Sequence, residues 1–166
     1  MKRWIVVGWL LTIGIALAGI LGKERLLANG EVVYLRLAPV DPRSLMQGDY
    51  MALNFSIAND VRVAHSTNQT SLTREEVIVI RRDASHEGHF VRLHTGEALA
   101  PGEQLLRVQN VPSRWGGNAV QVSTDAWFFQ EGQADRYAKA KFGEFRVDDS
   151  GHALLVGMRD EALGKM

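Results

Sequence analysis

The chain contains no cysteine in 166 residues. A structural disulfide, a cysteine-ligated zinc and a thiol nucleophile are therefore excluded. It also lacks a surplus of either charge: 19 basic residues stand against 19 acidic ones, a formal net charge of zero. Nucleic-acid binders show a basic surplus or stripe, so that class of partner is set aside. There is no internal repeat, no low-complexity tract and no phosphate-cradling loop, because Trp115-Gly116-Gly117-Asn118 has no lysine after it. A domain of this length without cross-links must be held by apolar burial and β-pairing. No cofactor is implied by any motif.

One long hydrophobic run is present. Lys2 and Arg3 precede a stretch from Trp4 to Gly22 that carries no charge. At ~1.5 Å per residue it reaches roughly 28 Å, close to the ~30 Å hydrocarbon core of a bilayer. Trp4 and Trp9 lie in its first half, where interfacial indoles are common. Residues 1–23 are read as a transmembrane signal-anchor that meets the membrane through residues 4–22. Residues 24–30 are read as a linker with an Asn29-Gly30 turn signal, and residues 31–166 as an extracytoplasmic β-rich domain. The expected topology is single-pass, with the amino terminus in the cytoplasm and the main domain in the periplasm or its equivalent. Ala16-Leu17-Ala18 also satisfies the small-x-small rule of a cleaved signal peptide, although the apolar run continues through Ile20 and Leu21.

Beyond residue 30 the pattern is that of strands. Glu31–Pro39 places Val33, Leu35 and Leu37 on one face, and Asp49–Ile57 places Met51, Leu53, Phe55 and Ile57 on one face. Ala58–Arg74 is polar and is expected to be an excursion that begins at most as a short helix. Glu76–Arg82 and His89–His94 read as a hairpin, and Gln104–Val108 as the next strand of a meander. Asn118–Thr124 and Trp127–Phe129 follow as strands. Gln133–Phe142 has the one good helical composition outside the anchor. Gly143–Val147 and His152–Asp160 close the chain as a second hairpin about a DDSG turn. The expected fold is mainly β, an antiparallel meander or barrel-like sheet with one short helix, after an N-terminal transmembrane helix.

Several clusters invite a chemical reading. Leu45-Met46-Gln47-Gly48-Asp49 is similar to the Leu-x-x-Gly-Asp of the membrane-anchored signal peptidases. In that register Val40 occupies the position of the nucleophilic serine and Arg43 that of the proline. Ser44 falls on the small hydroxyl residue next to the leucine, which is not the nucleophile, and no lysine is placed to form a Ser/Lys dyad. His86, Glu87, His89 and His94 could be arranged around a metal, but their spacing matches no ligand signature and suits a solvated turn, so no metal is assigned. Glu75-Glu76 and Asp148-Asp149 are neighbours on the chain, so on strands they point to opposite faces and cannot flank one bond.

Gly48-Asp49-Tyr50-Met51-Ala52-Leu53-Asn54-Phe55 resembles the motif of the GDYXXLXY family, with Phe55 in place of the final tyrosine. The lead-in Leu37–Leu45, the Phe129-Gln130-Glu131-Gly132 segment and the closing hairpin also resemble that family. The resemblance implies a membrane-anchored protein of no established activity, often encoded beside multi-span membrane proteins. Leu53 and Phe55 are expected in the core. Arg43, Gly48, Asp49 and Tyr50 are the candidates for a binding or loop-organising surface. The expected function is that of a non-enzymatic accessory module for an integral membrane protein. An envelope hydrolase distantly like signal peptidase, or a β domain that binds a small ligand, are the alternatives.

Overall fold

The structure is a computed structural model that describes residues 2–38, 50–112 and 118–166. It opens with helix α1 (Lys2–Asn29). Strands β1 (Glu31–Arg36) and β2 (Tyr50–Ala52) follow, then helix α2 (Ser56–Asn68). Strands β3 (Glu75–Arg82), β4 (Gly88–Leu93), β5 (Glu103–Pro112), β6 (Asn118–Gln121) and β7 (Ala126–Phe128) come next. Helix α3 (Ala134–Tyr137) and strands β8 (Phe142–Val147) and β9 (Ala153–Arg159) complete the order. The fold is mostly antiparallel sheet curled into a half-barrel, as its composition and alternation predict.

Among the described residues three sheets build it, in the orders β4-β3-β5-β6, β1-β8-β9 and β2-β7. The two larger sheets are stitched where they meet. Tyr34 forms a parallel bridge with Glu87, and its N–H donates to the His86 carbonyl at 2.9 Å. On the other side the Arg107 N–H donates to the Gly151 carbonyl at 2.8 Å. The small ribbon joins through Leu37 opposite Phe55 and through the Ala38 N–H, which donates to the Asn54 carbonyl at 2.8 Å.

Inward residues of every layer converge on one core. Val33 and Leu35 of β1, Ile78 and Ile80 of β3, and Phe145 and Val147 of β8 are buried in it. Each such aliphatic side chain is worth ~1.5–3 kcal/mol when fully removed from water. Helix α2 fills the concave side, burying Ile57, Ala58 and Val61 against these strands. A second, smaller cluster of Met51, Tyr137, Ala140 and Met158 lies under the β2–β7 ribbon.

Four sequence expectations are corrected. The 24–30 linker is helical: α1 continues to Asn29, because Leu26 packs against the domain at 7% exposure. Gly30 then ends it against the Arg146 side chain, whose guanidinium donates to the Gly30 carbonyl at 3.1 Å. The strand expected over Asp49–Ile57 stops at Ala52 within the described residues, and Ile57 belongs to α2. The polar excursion from Ala58 is mostly that same helix. Its buried positions fall at helical spacing, on a chain whose other face is solvated. The helix expected over Gln133–Phe142 is one turn only, since the chain must leave it in time to enter β8 at Phe142.

Phe55 is where strand becomes helix. It sits just before α2 with extended backbone (φ −103°, ψ 142°), 3% exposed, its ring edge-on to Phe145 at 5.2 Å. Room for the ring exists because β8 carries Gly143 there: a Cβ at that position would lie 2.9 Å from Phe55 Cε1 and 3.0 Å from Phe145 Cε2. Phe55→Ala is expected to cost ~3–5 kcal/mol in denaturant unfolding of the full chain in detergent. Gly143→Ala, which crowds the same contact, is expected to cost ~1–3 kcal/mol. A near-neutral result for both would remove Phe55 from the centre of the fold.

Candidate functional site

Of the residues singled out from the sequence, Arg43, Gly48 and Asp49 lie outside the described residues, as do Ser44 and Trp115. Tyr50 opens β2. Opposite it across the ribbon stands Phe128, with ring centroids 5.7 Å apart. Phe128 is 74% exposed, so the motif tyrosine forms one side of an outward aromatic pair. Trp127, the next residue, turns inward onto Tyr137 instead. Its indole N–H is buried with no partner among the described residues. Leu53 is partly buried between the two apolar clusters, and Phe55 is fully in the larger one.

A second feature was invisible in the sequence because three segments build it. The end of β1, the first half of α2 and the start of β4 enclose an open groove of about 520 Å³. Arg36 stands at its rim, stacked 4.4 Å over the Phe142 ring. Its Nε donates to Glu87 Oε1 at 3.0 Å and its Nη1 to Glu161 at 3.2 Å. The hydrogen bond to Glu87 raises its pKa above the usual guanidinium value, outweighing the effect of burial. The Ser56 hydroxyl, at the first residue of α2, donates to the Arg36 carbonyl at 2.9 Å and ties the helix start to β1.

Asp83, Glu87 and His89 bring one donor atom each to within 4.8 Å of one another beside this groove. This set shares Glu87 and His89 with the His86, Glu87, His89 and His94 grouping that the sequence suggests, with Asp83 in place of His86 and His94. Local turn chemistry accounts for it. Asp83 Oδ1 accepts from the Ser85 N–H, the Ser85 hydroxyl and the Glu87 N–H at 2.8, 2.7 and 2.9 Å. The same turn recurs at the β8–β9 hairpin, where Asp148 Oδ1 accepts from the Ser150 N–H, the Ser150 hydroxyl and the His152 N–H at 3.0, 2.8 and 2.9 Å. It recurs after β9 at Asp160, which accepts from the Ala162 and Gly164 N–H groups at 3.0 and 2.7 Å. In each turn the third residue on is left-handed: His86 at φ 64°, Gly151 at φ 86° and Leu163 at φ 61°. An aspartate that collects the turn's N–H groups is a general device for such loops.

One more polar array is buried. His65, 7% exposed at the end of α2, holds Nδ1 2.8 Å from Thr70 Oγ1 and Nε2 2.5 Å from Glu76 Oε2. Its order, hydroxyl–imidazole–carboxylate, looks like a nucleophile triad. Its other bonds show a helix terminus. The Thr70 N–H donates to the His65 carbonyl at 3.0 Å, Gln69 takes a left-handed φ of 53°, and Glu76 also accepts the Thr73 N–H at 2.6 Å. Those bonds satisfy the last carbonyls of α2 and fix the path into β3.

The turn carboxylates set the acid response. The Ser85 hydroxyl chiefly, with the Glu87 N–H, lowers Asp83 to about 2. The Thr95 hydroxyl does the same for Glu97, also to about 2. Glu103 is lowered by the Ala100 N–H and by Arg92. Burial pushes Asp148 upward, but its bonds to Ser150 and His152 outweigh that and hold it low. A carboxylate depressed on folding stabilises above its unfolded value near ~4, and that contribution disappears as pH falls through the folded value. The urea midpoint is therefore expected to stay level above about pH 5 and to fall towards about pH 2. Asp83→Asn is expected to flatten part of that fall; an unchanged profile would show that the turn does not bind the ionised form.

No curated protein and no solved structure matches the chain. A family model does, described as GDYXXLXY protein, over residues 12–158. The match runs from α1 to Met158 in β9 and takes in the Tyr50, Leu53 and Phe55 positions, so the chain belongs to the GDYXXLXY family.

Proposed function

We propose that this chain is a membrane-tethered, extracytoplasmic binding module that docks on an integral membrane protein. The observation that carries this reading is α1. Its stretch Val6–Asn29 is long and apolar enough to cross a membrane, and its apolar window is 0% buried. Length and composition fit a span and a signal sequence alike. Continuity favours the span. The helix passes unbroken through the Ala16–Ala18 cleavage signal, keeps Ile20 and Leu21 exposed beyond it, and locks into the β domain at Leu26. Cleavage would leave an apolar stub on the domain surface. The amino terminus lies in the cytoplasm, with residues 31–166 on the far side.

Partner docking rests on the aromatic pair. Exposed aromatic side chains are rare on a surface that does not use them and are enriched at protein interfaces. Phe128 is such a residue, and the half-buried Tyr50 of the family motif packs beside it. Among the described residues the polar clusters are spent on turns and helix ends, which supports binding over catalysis. The Arg43, Gly48 and Asp49 positions remain part of this proposed surface.

The test is a photo-crosslinker placed at residue 128 of the full chain in its native membrane, with Asn68 as the comparison position. The chain is expected to stay with the membrane through alkaline extraction. Position 128 is expected to capture an integral membrane protein that position 68 does not. Release by alkali would refute the anchor, and equal capture at both positions would refute the docking surface.

A further inference from the structure

Strand β4 is the terminal strand of its sheet. Among the described residues, its outer side is bridged to β1 at Tyr34–Glu87. Beyond that bridge the half-barrel does not close, and the groove of about 520 Å³ opens between β4 and α2. A strand edge offers unpaired N–H and C=O groups, and proteins usually block it with proline, lysine or a covering element. The β4 sequence, Gly-His-Phe-Val-Arg-Leu, has neither residue, and its arginine, Arg92, is held by Glu103 at 2.8 Å. A register shift opposite Val79 and Ile80 places a bulge, itself an edge-blunting device, at Val91, past the groove-lining residues Gly88, His89 and Phe90.

The facing wall is suited to a ligand. Val63 of α2 is 63% exposed, a large aliphatic residue left in water, and Ala64 and Phe90 continue the apolar lining. The charges are unequal in availability. Arg36 is taken by Glu87 and Glu161, and His89 by Asp83 at 3.3 Å. Asp60, on the same wall, forms no ion pair among the described residues. The groove therefore presents an open strand edge, an apolar trough and one acidic group. A helix beside an open edge strand is a recurrent setting for peptide recognition by strand addition, in which main-chain bonds give affinity and alternate side chains enter the groove.

We propose that this groove binds an extended segment of a partner polypeptide as an added strand on β4. An apolar side chain of that segment lies between Val63, Ala64 and Phe90, and a basic side chain lies against Asp60. The site is separate from the Tyr50–Phe128 pair and stands or falls independently of it.

The experiment pans a phage-displayed library of random linear peptides against the full chain in lipid nanodiscs. Selected peptides are then synthesised and titrated against wild type, Ala64→Trp, Asp60→Lys and Phe128→Ala. Selection is expected to enrich a basic residue next to an apolar one. Binding is expected to slow hydrogen exchange in β4, and Ala64→Trp and Asp60→Lys are each expected to weaken it about tenfold or more, with Phe128→Ala unchanged. Circular dichroism confirms that each variant is folded. If Ala64→Trp is not, Asp60→Lys, at an exposed position, decides the matter. The proposal is overturned if no peptide is selected, if protection falls outside β4, or if Asp60→Lys binds like wild type. None of those outcomes alters the crosslinking result at residue 128, which reads the membrane partner separately.

Discussion

A curled sheet that does not close must have something fill its concave side, and here that element is α2. The inward residues of β1, β3, β5 and β8 form an apolar bowl that would be wet without Ile57, Ala58 and Val61. The chain delivers these residues by changing from strand to helix at Phe55, which is itself pinned on Phe145. The helix is fastened at both ends. The Ser56 hydroxyl bonds to Arg36 at its start, and His65 bonds to Thr70 and Glu76 at its finish. The motif strand, the plug helix and the groove beside it are thus one construction. Displacing Phe55 would loosen the helix, and loosening the helix would erase the groove.

The same geometry separates the two outward features. The motif tyrosine and Phe128 belong to the two-stranded ribbon that covers the smaller apolar cluster. The groove belongs to the unsealed side of the half-barrel. Both face outward because neither edge is covered by a described segment. α1 runs into this body with no joint, since Gly30 is packed against Leu26 and Arg146. Under the proposed membrane anchoring, this mounting would hold both features at a set height above the bilayer.

Much of the fold was legible, and what was not has identifiable causes. The strands of the two hairpins, β3–β4 and β8–β9, announce themselves by alternation and by turn residues between them. α2 was hidden because Ile57 also continues the alternation of Met51, Leu53 and Phe55. Its other buried apolar positions, Ala58 and Val61, are too few to stand out among Asn59, Asp60, Arg62 and Ser66. Tertiary burial chose helix where local pattern favoured strand. The helix over Gln133–Phe142 was overestimated for the opposite reason: alanine-rich composition favours a helix, but β8 claims the chain first. The core roles of Leu53 and Phe55 followed from spacing. The contact of Tyr50 with Phe128 could not be read, because it depends on pairing two short strands far apart in sequence. The groove could not be read for the same reason, being assembled from β1, α2 and β4. Asp148 was visible in the DDSG turn, whereas Asp160 was read as the end of a strand, and the shared pattern at Asp83, Asp148 and Asp160 emerged only from the bonds.

Amide hydrogen exchange on the full chain in lipid nanodiscs tests the central claim most directly, that α2 plugs a half-barrel whose β4 edge stays open. The amides of Val61, Ala64 and His65 should exchange only as slowly as global unfolding allows, together with those of β3 and β5, while alternate amides of β4 exchange fast. Fast exchange throughout α2, or uniformly slow exchange along β4, would contradict it.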